Sequence, residues 1–309
     1  MSVREIVTPA RPDARDGGTG PAATARTPEP GTWRGSGAGA RHLTRLLASE
    51  IALTFRRPRN LAMLGVLAIV PVVIGVAVRV ASESDAGGSI VGQIAGNGLT
   101  LTFAAFAVMM PIVLPLTVAV VAGDAVAGEA AQGTLRYLLV APAGRTRLLL
   151  VKYVNVMVFC LAACAVVALS ALAAGLVLFP AGPVTLLSGT TIPAAEALLR
   201  AGVVVLYATA GLAALGAVAL AVSTLTEAPI GAVAASVVLV VVSQVLTAIP
   251  QVAAVRPILL TSWWGAFDEA LRTPMAADRM GRGLFVFAAY ALIFGSVAWS
   301  RLTSKDITA

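Results

Sequence analysis

Acidic and basic side chains follow one another along a single internal stretch, GDAVAGEAAQGTLRYLLVAPAGRTRLLLVK, which runs from residue 123 to residue 152. The acids Asp124 and Glu129 come first, and the cations Arg145, Arg147 and Lys152 follow. Carboxylates and cations in one stretch can form ion pairs, so we expect Asp124 and Glu129 to fix it by pairing with Arg145 or Arg147. The alternative is that these are solvated charges at the edge of a membrane.

The chemistry that an enzyme would need is missing from the sequence. A phosphate-binding P-loop requires Gly-Lys-Ser or Gly-Lys-Thr, and neither of the two lysines, Lys152 and Lys305, follows a glycine. Cys160 and Cys164 lie in an apolar run, far along the chain from the single histidine, His42, so a metal site is not expected. The sequence therefore predicts no catalytic, metal-binding or cofactor-binding residues in this chain.

The middle of the charged stretch predicts a short amphipathic helix. Gly133 and Thr134 can begin it, since threonine is a workable N-cap. Pro142 ends it, because proline cannot continue a helix. Between them, leucines at three- and four-residue spacing share one face: Leu135, Leu138 and Leu139. A short amphipathic helix held between two apolar segments is an element that a partner protein can grip.

The order and spacing of these residues resemble a signature of type 2 ABC exporter permeases, a family of integral-membrane proteins. The matching positions are Glu129, Gly133, Thr134, Leu135, Leu138, Pro142, Arg145, Leu149 and Lys152. In that family the segment lies between the second and third spans and forms the coupling helix, which docks on the nucleotide-binding subunit. The family usually has serine before the arginine, where this chain has Gly144. The alternative is a plain charged loop between two spans.

The resemblance implies an all-α polytopic fold of six transmembrane helices. An amphipathic elbow helix would precede the first span, and the coupling helix would join spans two and three. The implied partners are an ABC ATP-binding subunit, which would bind the ATP and Mg, and a second permease copy or a paralogue. Coupling to the ATPase would then depend on Asp124, Glu129, Gly133, Thr134, Leu135, Leu138, Pro142, Arg145 and Lys152.

Composition points to a membrane independently of the resemblance. Hydrophobic residues make up 58% of the 309 residues, charged residues only 12%, and the mean hydropathy is +0.90. Soluble domains carry about a quarter charged residues, which this chain lacks. The net charge of +7 comes from basic residues that flank apolar runs, so we expect membrane lipid and no nucleic acid as a partner.

The pattern along the chain predicts a tail followed by one membrane domain. Residues 1–40 are rich in glycine and proline and lack apolar periodicity, which predicts disorder. The domain over 41–309 begins with an amphipathic helix at 41–57, expected to lie flat at the membrane interface. Six apolar segments of membrane length follow, at residues 61–80, 99–122, 148–179, 198–225, 230–249 and 284–301.

The distribution of lysine and arginine predicts the orientation. Eleven such residues lie near span ends on one face, against six on the other. The positive-inside rule then predicts that both termini lie in the cytoplasm. Together with the resemblance, this implies a multi-pass protein of the bacterial cytoplasmic membrane. Within span four, alanine and glycine form an almost continuous small surface, which predicts a central helix.

The connection between spans five and six, residues 250–283, carries aromatic side chains at helical spacing. We expect a short helix at the outer surface, built on Leu260, Trp263, Trp264, Phe267 and Leu271. Trp263, Trp264 and Phe267 would form a gate over an exit path, as the resemblance implies, or an aromatic anchor at the membrane interface.

Taken together, these features predict the transmembrane subunit of an ATP-driven exporter of an amphiphilic or lipophilic substrate, such as a drug, an antibiotic or a lipid. Two other classes remain open at this point. One is a membrane scaffold or assembly factor that binds a cytoplasmic partner without moving cargo, and the other is an energy-independent channel.

Overall fold

A computed structural model of the chain describes residues 36–83, 92, 95–131, 144–180, 182–185, 189–274 and 277–304. The helices are α1 (Ser36–Arg56), α2 (Pro58–Glu83), α3 (Thr100–Met109), α4 (Val113–Ala131), α5 (Arg145–Leu178), α6 (Ala194–Leu225), α7 (Pro229–Ala248) and α8 (Ala277–Ser304). Two 3₁₀ helices, Pro250–Val255 and Leu260–Leu271, join α7 to α8. Strands β1 (Val184–Thr185) and β2 (Thr191–Ile192) form a small antiparallel hairpin before α6.

Among the described residues, six helices are long and apolar enough to cross a membrane: α2, α4, α5, α6, α7 and α8. Each begins or ends within a few residues of a predicted segment, apart from the α3–α4 pair, which divides the predicted span at 99–122. The all-α polytopic prediction therefore holds. Consecutive spans run in opposite directions, so the bundle has two ends. We call them the Lys152 end and the Trp264 end.

The helix of predicted span two is broken in the middle. Thr100–Met109 and Val113–Ala131 are separated by the turn at residues 110–112. Pro115 has no N–H, so the carbonyl of Pro111, four residues earlier, loses its helical donor. Gln244 of α7 replaces it, because its Nε2 donates to the Pro111 oxygen at 3.3 Å. The break is thus stabilised by a neighbouring helix.

Helix α6 is the centre of the bundle, as its small residues predicted. It packs against α4, α5, α7, α8 and the 3₁₀ helix Leu260–Leu271. In its most apolar stretch 72% of the residues are buried, the largest share among the six spans. Gly211 and Gly216 bring neighbouring side chains close, since a Cβ added at these positions would lie 2.9 Å from Trp264 and 2.6 Å from Val156. Small residues here let large side chains of other elements reach the core.

Helix α1 packs on α5 and α2 at the Lys152 end. It begins at Ser36, five residues before the predicted start, and it ends at Arg56, directly before Pro58 begins α2. Residues 1–35 of the predicted tail lie outside the described residues. An elbow helix lying flat on a membrane stays a prediction for α1.

Candidate functional site

The coupling segment, defined here as residues 133–142, lies outside the described residues. Five of the predicted coupling residues fall in it: Gly133, Thr134, Leu135, Leu138 and Pro142. The short amphipathic helix therefore stays a prediction. The structure does describe the helices on either side of the segment, which are α4 and α5, and with them Asp124, Glu129, Arg145 and Lys152.

Lys152 is a buried cation that joins three helices at the Lys152 end. Its side chain is only 3% exposed, and its Nζ lies 2.5 Å from Oε1 of Glu129 on α4. The same Nζ lies 3.7 Å from Oε1 of Glu50 on α1. The carboxylates are 19% and 22% exposed, so the site is largely shielded from solvent. A charge at this depth is stable only with such partners, so the ion pair fixes α4 to α5 across the coupling segment.

Asp124 forms a second ionic link one turn further into the bundle. Its Oδ2 accepts hydrogen bonds from Arg57 Nη1 at 3.0 Å and from Arg59 Nη2 at 2.8 Å. The two arginine side chains are half exposed, whereas Asp124 is 16% exposed. Asp124 thereby ties α4 to the junction between α1 and α2.

These contacts correct the predicted partners of the two acids. Arg145 or Arg147 was expected, but among the described residues Asp124 pairs with Arg57 and Arg59, and Glu129 pairs with Lys152. The physical reason is that the start of α2 packs beside α4 and brings Arg57 and Arg59 to Asp124, while α5 presents Lys152 to Glu129 one to two turns after Arg145 and Arg147.

Helix α1 is also tied to α5 by uncharged groups. Asn155 Nδ2 donates to Thr54 Oγ1 at 2.8 Å, and Asn60 Nδ2 donates to the Thr54 carbonyl oxygen at 2.9 Å. All three side chains are buried. Buried polar groups need partners. The bond from Asn155 therefore holds α1 against the first part of α5, and the bond from Asn60 holds α1 against the start of α2.

Arg145 contacts carbonyl oxygens rather than the acids with which it was expected to pair, while its coupling role stays a prediction. Its Nη1 donates to the carbonyl oxygens of Leu302, at 3.2 Å, and Thr303, at 2.7 Å, in the last turn of α8. A cation at a helix C-terminus satisfies carbonyls that lack helical donors. Beside it, Trp299 Nε1 donates to Thr146 Oγ1 at 3.0 Å. The first turn of α5 is therefore fastened to the end of α8. Gly144, the residue before that turn, has a φ of +74°, which explains glycine at this position.

Ser223 of α6 inserts into the backbone ladder of α4. Its Oγ donates to the Gly123 carbonyl oxygen at 2.7 Å and accepts from the N–H groups of Val126, at 3.2 Å, and Ala127, at 2.9 Å. The N–H of Ala127 would bond to that same carbonyl in a regular helix. Side chains inserted in this way mark points where helices bend. Ser223 thus connects α6 to the turn of α4 that carries Asp124.

The three predicted gate residues lie at the Trp264 end. Trp264 and Phe267 are each only 2% exposed, and Phe267 meets Phe106 edge-on, with ring centroids 6.4 Å apart. Trp263 is partly buried; its carbonyl oxygen accepts from Tyr207 at 2.8 Å, and its Nε1 donates to the Pro257 carbonyl at 2.9 Å. The helix expected at the outer surface is therefore a 3₁₀ helix whose aromatic side chains enter the core. Trp264 and Phe267 are buried whereas Trp263 is partly exposed, so the gate and the interfacial anchor both stay predictions.

Arg200 fastens the 3₁₀ helix Leu260–Leu271 to α6. This side chain is 8% exposed, and its Nη1 donates to the carbonyl oxygens of Ala270 and Arg272, each at 2.8 Å. Its Nη2 lies 2.7 Å from Oε1 of Glu196. Arginine beside the last carbonyls of a helix acts as a C-cap. At the Trp264 end, Arg200 therefore holds the C-terminus of the 3₁₀ helix against α6.

A second ionic contact lies beside this cap. Glu269, with a side chain 9% exposed, pairs with Arg279 at 2.9 Å and with Arg272 at 3.4 Å. Partial burial raises the pKa of the neighbouring Asp268 carboxyl above its usual range, against the lowering effect of Arg279. The loop before α8 is therefore held to the 3₁₀ helix by charge.

Sequence reasoning missed Glu50, Thr54, Arg200 and Ser223 as positioning residues. Arg200 had a detectable signal, because an arginine inside an apolar segment must find partners. Ser223 had none, since serine is also a small residue suited to helix packing.

Cys160 and Cys164 are buried and not joined to each other. Among the residues that the structure describes, no cluster of three or more His, Cys, Asp or Glu side chains could hold a metal ion.

Six apolar helices among the described residues, with α6 the most buried of them and the charges gathered at the ends of the bundle, fit a multi-pass membrane protein. A family model matches residues 60–308, which is most of the chain, and its description is "Protein of unknown function (DUF2705)". The chain belongs to this family. A search of curated proteins gives no match.

Proposed function

We propose that this chain is the transmembrane subunit of an ATP-driven type 2 ABC exporter, which moves an amphiphilic or lipophilic compound such as a drug, an antibiotic or a lipid. The observation that supports it is the contact of Lys152 with Glu129 and Glu50. This contact joins the two helices that flank the coupling segment into one unit. If a partner protein pulls on the coupling segment, the helices on either side must be held together so that both of them move.

In this proposal the Lys152 end faces the cytoplasm of a bacterium, with both termini on that side. The ATP-binding subunit binds ATP and Mg and grips the coupling segment around residues 134–140. When two such subunits close, they move α4 and α5 as one unit, because Glu129 and Lys152 link these two helices. The helices shift against α2 and α7, and a pathway opens at the Trp264 end. A second permease copy or a paralogue completes it.

The buried 3₁₀ helix Leu260–Leu271 fits the gate in this scheme. Opening requires its aromatic side chains to leave the core or to move with α6, to which Arg200 fastens the helix. This chain supplies no hydrolytic step; it converts a movement of the partner into a movement of spans.

The experiment is to purify the tagged chain from its own host and to identify a bound protein with Walker motifs. The complex is then reconstituted in lipid nanodiscs, and its ATP turnover is measured with and without candidate amphiphiles. We expect stoichiometric association and drug-stimulated ATPase. A chain that carries no ATPase refutes the proposal. A bound ATPase whose turnover never responds to any amphiphile, and a chain that never exports, would support the scaffold instead.

A variant of the coupling segment sharpens this test. Leu138→Asp places a charge on the predicted apolar face and should abolish ATPase binding, whereas the matched control Leu138→Met should retain it. Leu138→Cys tests the side of the membrane, because the native Cys160 and Cys164 are buried and add little background. An impermeant maleimide should label it only in opened cells. Labelling in intact cells would place the segment outside and overturn the proposal.

A further inference from the structure

An apolar groove lies on the flank of the bundle, near the Lys152 end and away from the ion pairs. Its volume is about 180 Å³, and it is formed by α5, α6 and α8. The lining residues are Thr146, Leu149, Leu150, Tyr153, Ala217, Leu220, Ala291 and Gly295. The Tyr153 hydroxyl is turned toward α6, where it donates to the Ala213 carbonyl at 3.4 Å, so the ring presents apolar atoms.

The groove opens where hydrocarbon would surround the protein. Leu150 on its wall is 50% exposed, and on the same helix as Gly295 the neighbours Leu292 and Val297 are 72% and 39% exposed. Gly295 leaves room in it, since a Cβ added there would meet no atom within 4 Å. In a multi-pass protein such a surface is covered by lipid acyl chains, and an apolar groove can hold one of them by apolar contact.

Two cationic residues, Arg147 and Arg301, lie in terminal turns of α5 and α8, two of the helices that form the groove. Arg147 follows Thr146 in the first turn of α5, and Arg301 lies in the last turn of α8, two residues after Trp299. Both arginines are exposed, and among the described residues neither forms an ion pair. Trp299, half exposed and bonded to Thr146, supplies the aromatic side chain typical of a headgroup level.

From this combination we infer a binding site for one anionic phospholipid, with an acyl chain in the groove and the phosphate headgroup between Arg147 and Arg301. The site needs no transported substrate and no ATPase, so it stands or falls separately from the exporter proposal. The lipid would lie against the first turn of α5, directly after the coupling segment, and would stabilise the contact between α5 and α8.

Basic residues near a membrane surface each favour anionic over neutral lipid, and two of them together give a preference of roughly 30-fold. The probe lipids are therefore phosphatidylglycerol and phosphatidylcholine with identical acyl chains. The readout is native mass spectrometry of the purified full chain, which counts retained lipids and also reports the oligomeric mass. We expect one phosphatidylglycerol retained per chain in preference to phosphatidylcholine.

Two variants separate the groove from the headgroup site. Gly295→Leu fills the groove and should abolish retention of both lipids. Its matched control, Gly281→Leu, makes the same change at an open position nearer the Trp264 end of the same helix, and it should retain lipid. Arg147→Gln with Arg301→Gln should keep one lipid but reduce the preference for phosphatidylglycerol to within about threefold of equal retention.

Three outcomes overturn the inference. Undiminished retention in Gly295→Leu excludes the groove. Equal retention of the two lipids by the unaltered chain excludes the anionic headgroup. A change in oligomeric mass with Gly295→Leu, without loss of lipid, means that a second copy of the chain covers the groove instead.

Discussion

Removal of the Lys152 charge should destabilise the protein strongly, because its partner Glu129 would remain largely shielded from solvent without a counter-charge. Lys152→Met keeps an unbranched side chain of similar length but leaves Glu129, 19% exposed, without its 2.5 Å partner. Breaking a buried ion pair by removing one member costs about 3–5 kcal/mol. Partial access of Glu129 and Glu50 to solvent relieves some of this, so we expect a loss of about 2–4 kcal/mol in the free energy of unfolding.

The double variant Glu129→Gln with Lys152→Met removes both charges together. Neutral replacements of a whole buried pair are often tolerated, so its loss should be smaller than that of Lys152→Met alone, about 0–2 kcal/mol. The loss in the double variant should then be smaller than the sum of the losses in Lys152→Met and Glu129→Gln by about 0.5–3 kcal/mol, the range expected for groups in direct contact. Arg59→Gln is the control at the same end, since Asp124 keeps Arg57 and the arginine is half exposed. Its cost should be below about 1 kcal/mol.

The assay is equilibrium unfolding in mixed detergent micelles, with increasing sodium dodecyl sulfate and tryptophan fluorescence as the signal. The free energies of the single variants, the double variant and the control are compared under one set of conditions. A Lys152→Met protein as stable as the control, or single losses that simply add up in the double variant, would refute the argument that Lys152 joins α4 to α5 through its charge.

Two further predictions concern the same bundle. Ser223→Ala removes the hydroxyl bonded to Gly123, Val126 and Ala127, and should cost about 1–3 kcal/mol of unfolding free energy. Ser236→Ala, whose hydroxyl bonds only within its own helix, should cost less than half as much, and equal losses would show that Ser223 does not stabilise α4. Gly211→Leu would force a side chain against Trp264 and should lower stability by about 1–3 kcal/mol. At Gly202 on the same helix an added Cβ would have no atom within 4 Å, so Gly202→Leu should leave stability unchanged. Equal melting temperatures for the two proteins would contradict the packing described.

The positions of the spans were predictable from the sequence because hydropathy is summed over about 20 residues, which makes single exceptions unimportant. The same averaging hid the division of the second span. Its two prolines were visible, but proline is common in membrane helices, and whether it bends or breaks one depends on neighbours. Here Gln244, more than a hundred residues away, supports the break.

The site was harder to predict than the spans. Asp124 and Glu129 were identified, but their partners Arg57, Arg59 and Lys152 depend on which helices become neighbours. Arg57 and Arg59 lie 67 and 65 residues from Asp124 in the chain, so no local spacing rule connects them. The cations of the same stretch, Arg145 and Arg147, were therefore a poor guide to the partners of Asp124 in space.

The aromatic residues of the 3₁₀ helix Leu260–Leu271 show the same limit at the other end. Helical spacing correctly indicated that Trp264 and Phe267 share a face. It gave no information on what that face meets, and tryptophan is common at membrane interfaces. The deciding feature was on α6, where Gly211 leaves room for the indole. A glycine in an alanine-rich helix carries no signal of this kind by itself.

The interruption between α3 and α4 predicts how a displacement would be distributed through the molecule. An unbroken rod would carry a tilt at one end through to the other, but the turn at residues 110–112 is a joint that isolates α3 from its continuation. The amide bridge from Gln244 to Pro111 lies at that joint. We therefore expect a tilt of α4 that starts near Asp124 to pass into α7 through this bridge and to displace α3 less than α4.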